Sequence, residues 1–498
     1  MRRLASAAAL LLIGVALAGC GEEGAASALD EVLGYLPSGA PFAVAIDTDV
    51  EGGQYQALDR IASRFPFGAQ AKESLRDSIE GEEGIDFERD VRPLLGNPFV
   101  VGAPNARSVS GGGDDFVGAI QVRDQAKLEE VIKKGRGREV GEQGGATIYR
   151  DPDGDTYAVD EDVLVVANER RTLESALETG DGGEGLSEED FDGALEGLPG
   201  EALIRLYADV EALLDADPST RSAQRVKWVN GLRTLGLTGV VRDDGLDIEY
   251  RLRTEDVSET DLPIAPGDES PGVVRRPGEV AVGIRDLRRI VDFGEAAAQA
   301  VNPDDFRDYE AGKEQLDGLL GVNIDDDVFA QLTGATAFSV APNGSVTVRA
   351  ELEDPEAFEQ TLARVADVLP RVAGSLGSGE FGLAKPGGGQ DLYRLTDSNG
   401  RTWFYGVVDE VFVLAPRPAA AQELASATPA PVSGARGSVV SSADAEELAK
   451  AAIAGFGSQL GLGGELDLER FIAPLGETSS WVAAGPEELR GRTTLEID

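Results

Sequence analysis

Short apolar runs alternate along the chain with stretches whose apolar residues return at helical spacing, so strands and helices are both written into the pattern. Phe42-Ala43-Val44-Ala45-Ile46-Asp47 follows the turn Pro37-Ser38-Gly39 and predicts a strand. Tyr55, Leu58, Ile61, Ala62 and Phe65 then fall on one stripe of a helix that ends before Pro66. That stripe reads as core packing rather than as a groove for a partner. Phe116 to Val122 alternates as a strand, and Asp124 stands where it would cap a helix carrying Leu128, Val131 and Ile132 on one face. Ile148 to Ala167 continues as a meander of strands.

The same order returns downstream. Pro277-Gly278 leads into Val280-Ala281-Val282-Gly283-Ile284, and Phe87-Glu88-Arg89-Asp90-Val91 is matched by Ile324-Asp325-Asp326-Asp327-Val328. Val346 to Leu352, Asp354 and the helical Phe358, Leu362 and Val365 match the strand and capped helix of the first half. Ile148-Tyr149-Arg150 answers to Leu392-Tyr393-Arg394, and Gly154-Asp155-Thr156-Tyr157 to Gly400-Arg401-Thr402-Trp403. Offsets of about 230 to 250 residues drift as small loop insertions would make them. Both halves close on a hairpin, around Asp243-Asp244-Gly245 and around Gly485-Pro486. The fold class expected is α+β: two homologous repeats, each a mainly antiparallel β-sheet with helices packed on one face. They span 36–256 and 274–498, and 257–273, with Pro263, Pro266 and Pro271, reads as a linker.

The N-terminus has its own pattern. Met1-Arg2-Arg3 is positive, Leu4 to Ala18 is apolar, and Leu17-Ala18-Gly19-Cys20 closes the run, as in a secretory signal peptide. A run of about 15 residues is short of the roughly 20 that a spanning helix needs. Leu-Ala-Gly-Cys resembles the lipobox of bacterial lipoproteins. The resemblance implies that residues 1–19 are removed as a signal peptide and that Cys20 is lipidated through its thiol. Two or three acyl chains there would anchor the chain stably on the outer face of a membrane. Residues 20–35 are then expected to be a tether, flexible from Gly21 to Ser27.

Composition narrows the chemistry. The 498 residues carry 90 acidic and 45 basic side chains, a net charge of -45, which repels phosphate backbones and argues against nucleic acid. With no histidine and one cysteine, the usual serine triad, an intrachain disulfide and a cysteine metal cluster are all excluded. Asp151-Pro152-Asp153-Gly154-Asp155, followed by Asp160-Glu161-Asp162, places acids as a calcium loop would, but Gly154 is misplaced and strands flank it, so a hairpin turn is the better reading. Asp325-Asp326-Asp327 reads as a solvated helix start. Gly111-Gly112-Gly113 and Gly387-Gly388-Gly389 lack the spacing of a phosphate loop, and Gly374-Ser375-Leu376-Gly377 is not a nucleophile elbow. Trp403, Phe404 and Tyr405 form the densest aromatic run and, with Trp228 and Trp481, read as core.

The run from Leu36 to Leu177 resembles the bacterial domain of unknown function 3352 family. The likeness rests on the Leu36-Pro37 turn, Gly84-Ile85-Asp86-Phe87 leading to Leu94-Leu95-Gly96, and the hairpin from Tyr157-Ala158-Val159-Asp160 to Val166-Ala167. Leu94 stands where the family usually carries an aromatic. The resemblance implies an exported protein, often a lipoprotein, and brings no activity with it. No catalytic, cofactor or metal residue is assigned; Cys20 is the one site specified. The expectation is a lipid-anchored, non-enzymatic binding or scaffold protein of the cell envelope, with an envelope protein as partner. Two alternatives stand beside it: a carrier of a lipid or other apolar ligand in a sheet/helix cleft, and a carboxylate-dependent hydrolase.

Overall fold

The computed structural model describes residues 25–70, 73, 84–110, 115–373, 382–384, 392–396, 400–456 and 469–498. They fall into two compact units. The first takes the described residues up to Arg221 together with Leu232–Arg253 and Glu496–Asp498; the second takes Ser222–Gly231 and Thr254–Leu495. Both are α+β and built on antiparallel strand pairs. No helix among the described residues is long and apolar enough to cross a membrane.

The first unit contains strands β1 (Phe42–Ile46), β2 (Phe99–Gly102), β3 (Val117–Gln121), β4 (Arg138–Gln143), β5 (Ala146–Arg150), β6 (Thr156–Asp160), β7 (Val163–Ala167), β8 (Ile204–Asp209), β9 (Leu232–Arg242) and β10 (Gly245–Thr254). Neighbours pair in the order β4-β5-β6-β7-β3-β2-β1-β8-β9-β10. Its main helices are α1 (Ala25–Leu33), α2 (Gly53–Arg64), α3 (Gln125–Lys134), α4 (Arg170–Gly180) and α5 (Glu188–Leu195). Alternate residues of one strand enter two different cores. Ala43 and Ala45 pack with Leu29 and Leu33 of α1, Leu177 of α4 and Phe191 of α5. Val44 and Ile46 pack with Tyr55 of α2 and with Leu128 and Ile132 of α3. Helices therefore cover both faces of this sheet, not one as expected. The reason lies in the strands: Phe42 to Ile46 and Val163 to Ala167 are unbroken apolar runs, which a half-solvated strand would not have.

Two of the expected boundaries are also corrected. Residues 25–35 are no tether, because α1 buries Leu29, Val32 and Leu33, and Tyr35 follows into the same core. Residues 257–273 are no free linker. Leu262, Ala265 and Val273 are buried, Pro266 bridges to Ala484, and Val273 bridges to Ala430 within the second unit. Prolines among acids made this stretch look solvated, yet its apolar residues bind it to the fold.

The second unit contains β11 (Val280–Arg285), β12 (Ala335–Val340), β13 (Val346–Glu351), β14 (Gly382–Ala384), β15 (Tyr393–Thr396), β16 (Thr402–Val408), β17 (Val411–Ala415), β18 (Val439–Asp444), β19 (Leu475–Ala484) and β20 (Glu488–Ile497). Their order is β14-β15-β16-β17-β13-β12-β11-β18-β19-β20. The main helices are α6 (Leu287–Val301), α7 (Pro303–Leu320), α8 (Pro355–Ala373) and α9 (Pro418–Ser426). Val411, Val413 and Ala415 pack on Ala420, Ala421 and Leu424 of α9. Phe412, pointing the other way, meets Phe358 of α8 edge-on at 5.6 Å. The pair α6 and α7 is different. None of the α6 residues is buried, and Phe306 alone is buried in α7.

Candidate ligand-binding pocket

Local chemistry sets where α6 and α7 begin and end. The Asp286 carboxylate accepts from Arg289 N (3.2 Å) and so caps α6. Asn302 donates its own N–H to Ala298 O (2.9 Å) at the end of α6 and at once caps α7, its side chain accepting from Asp305 N. Pro303 occupies the first position of α7, where a missing N–H costs nothing. Gly321, at φ 70°, ends α7 in the left-handed conformation that a Cβ would strain.

Between the two helices lies a pocket of about 520 Å³. Val291, Ala298 and Val301 line it from α6, and Phe306 and Tyr309 from α7. That volume is within the range of about 300–1,000 Å³ that small-molecule sites occupy. Glu295 also lines the pocket, but its carboxylate is already engaged by the Tyr309 hydroxyl and by Lys313 Nζ, both donating at 2.9 Å. Lys313 reaches on to Asp325 (3.0 Å) and lies 5.4 Å from the centre of the Tyr309 ring. Burial works against the lysine's charge, yet its bonds to Glu295 and Asp325 outweigh that and raise its pKa. The Tyr309 hydroxyl is pushed up by burial first and then by its bond to Glu295, so it stays a neutral donor. The polar groups thus satisfy one another across the helix pair, and the surface left to a ligand is mainly aliphatic and aromatic.

The residues singled out in the sequence go elsewhere. Cys20 lies outside the described residues, as do Gly111 to Gly113, Gly374 to Gly377 and Gly387 to Gly389. Asp151 to Asp155 is a hairpin turn between β5 and β6: Asp151 accepts from Asp155 N (2.8 Å), and Gly154 supplies a φ of 98°. Asp160 accepts from the Tyr35 hydroxyl (2.9 Å), and Asp162 from Gln121 Nε2 (3.1 Å). Asp325 to Asp327 do sit in a helical turn, Ile324–Val328, but Asp325 is paired with Lys313 rather than merely solvated. Tyr157 stands opposite Tyr149 across β5 and β6, and its counterpart by strand position is Tyr405 opposite Tyr393, not Trp403. The hairpin of β15 and β16 is longer by two residues on each strand between its paired tyrosines and its turn, which displaces that match. Trp481 packs against the core at Val440. Trp228 is only half-buried and lies edge-on to Phe293 of α6, so it is not the core residue expected. The pocket itself had no linear signal, since its walls come from two helices whose apolar spacing is that of ordinary core helices.

Among curated proteins, none matches the chain. The solved structures that show similarity include crystal forms III, IV and I of TP0453. Their identities are 12%, 14% and 14%, and their TM-scores 0.25, 0.26 and 0.24. The matches cover 46%, 46% and 45% of this chain and 81%, 83% and 80% of those. The likeness first seen from Leu36 to Leu177 extends much further: the family model described as protein of unknown function, DUF3352, matches residues 4–372, and the chain belongs to that family.

Proposed function

We propose that this chain is a lipid-anchored, non-enzymatic binding protein of the cell envelope, made of two copies of one α+β unit, and that the second copy takes up an apolar ligand between α6 and α7. The observation that carries the reading is the pocket of about 520 Å³ walled by Val291, Ala298, Val301, Phe306 and Tyr309, in a helix pair that is otherwise barely buried. A ligand there would cover apolar surface that the fold leaves open, at about 25 cal/mol per Å². The identical strand orders of the two units support duplication. The apolar run ending at Cys20 supports the anchor.

Mass spectrometry of the gently purified native chain tests the pocket. Wild type is expected to carry a bound apolar molecule, and Ala298→Trp, which fills the pocket, to lose it. An empty wild type, or equal loading of both, overturns the reading. Cys20→Ala tests the anchor, with loss of lipid label and of membrane retention expected; an unchanged membrane fraction would defeat it.

A further inference from the structure

We propose a second site in the same unit: a pocket on the opposite face of α6 that binds a small oxyanion, phosphate or carboxylate, carried on a compact aromatic or apolar group. At about 100° per residue, Arg289, Asp292, Phe293, Ala296 and Ala300 lie diametrically across α6 from the residues that line the first pocket. With Arg225, Lys227 and Trp228 they wall a cavity of about 250 Å³. Both contributing segments belong to the second unit.

The charges decide the ligand. Asp261 is neutralised by Lys227 (2.6 Å), and Asp292 by Arg288 (2.7 Å). Arg225 and Arg289 have no ion pair among the described residues. Arg225 and Arg289 both line the cavity, and the two carboxylates that line it with them, Asp261 and Asp292, are paired with other cations. Guanidinium forks match carboxylate and phosphate oxygens in geometry as well as charge. Two N–H groups of the lining residues, Trp228 Nε1 and Arg289 Nε, are buried without an acceptor among the described residues and are donors that a ligand oxygen would satisfy. Trp228 and Phe293, at 6.3 Å and 89°, supply an aromatic wall for the rest of the ligand. The small volume restricts that part to a ring or a short chain.

Calorimetric titration of the full chain with phenyl phosphate tests the site. Saturable binding is expected, weakened at least about tenfold by Arg289→Gln and by Arg225→Gln, and unchanged by Arg170→Gln on α4. Should Arg289→Gln lose the wild-type circular dichroism, Arg289→Lys takes its place, keeping the charge and losing the fork. Phosphatidylglycerol vesicles form the second arm. Competition with phenyl phosphate identifies a lipid headgroup as the source of the oxyanion, and absence of competition identifies a soluble one. No saturable heat at about 10 mM phenyl phosphate, or equal binding by the arginine variants, overturns the proposal.

Discussion

Helices α2 and α6 each follow the strand at the same place in the order of their sheets, β1 and β11, and they are packed in opposite ways. α2, of 12 residues, buries Tyr55, Ala57 and Ile61, its Tyr55 hydroxyl donates to Asp47 O (2.5 Å), and Gln54 accepts from Val241 N (2.8 Å). α6, of 15 residues, buries none, although Ile290, Val291, Phe293 and four alanines make it the more apolar of the two. A helix closed onto a sheet spends its apolar face on the core, whereas one held off the sheet keeps two faces for other molecules. The helical turns that come later in each unit repeat the contrast. Phe87–Val91 and Ile324–Val328 are both capped from the preceding residue, Asp86 or Asn323, and both return a carboxylate to that residue's N–H at 2.9 Å. Asp90 has no exposed side-chain surface and is met by Arg89, Lys127 and Lys134; Asp327 is about a third exposed, with Arg364 at 3.7 Å its one ion-pair partner among the described residues.

The comparison breaks if these differences in burial have no energetic counterpart. Tyr55→Ala is expected to cost about 3–5 kcal/mol of stability, while Val291→Ala on α6 costs about 1 kcal/mol or less. Denaturant unfolding of the two variants measures the gap, and equal losses would refute it. Asp90→Ala is expected to cost about 3 kcal/mol because it removes the buried acceptor shared by Arg89, Lys127, Lys134 and the Asp86 N–H, against about 0–1 kcal/mol for Asp327→Ala. Hydrogen bonds from Arg89, then Lys134 and the Asp86 N–H, hold the Asp90 carboxyl well below the usual range. Its contribution is therefore present above the ordinary carboxylate pKa and lost only as pH falls far below it, so the Asp90→Ala deficit should shrink in strong acid.

The smallest effect lies where the units agree. Burial pushes both Tyr157 and Tyr405 up to about 12, and each stacks on the tyrosine opposite, at 5.6 and 5.4 Å. A raised tyrosine pKa means stability that is complete below about 10 and drains away as pH climbs toward 12. Absorbance titration of Tyr157→Phe and Tyr405→Phe should show each variant missing one late-ionising group. A group titrating near 10 in either unit would separate the two environments.

Much of this was legible in the chain. Asp124 caps its helix, accepting from Lys127 N (2.9 Å), and Tyr55 and Ile61 face the core as their spacing requires. Strand positions followed from apolar runs and turns because those signals are local. The one-face expectation rests on antiparallel order, which often leaves one face to water, whereas runs such as Phe42 to Ile46 contain no polar residue and call for cover on both faces. The pocket between α6 and α7 was beyond reach for a different reason. Val291 and Val301 have the same spacing whether a sheet or a ligand covers them, and that choice is made by residues distant in sequence.

The early start of α1 sets a length. Ala25 opens a helix whose next turns, through Leu29 and Leu33, are built into the first unit. If Cys20 bears the lipid, the connection from it to the folded body is about five residues, and at about 3.5 Å per residue it reaches no more than about 18 Å. On so short a leash the first unit could not roam the envelope to meet its partners. It would sweep the layer just above the headgroups, and whatever it binds would have to come to the membrane surface.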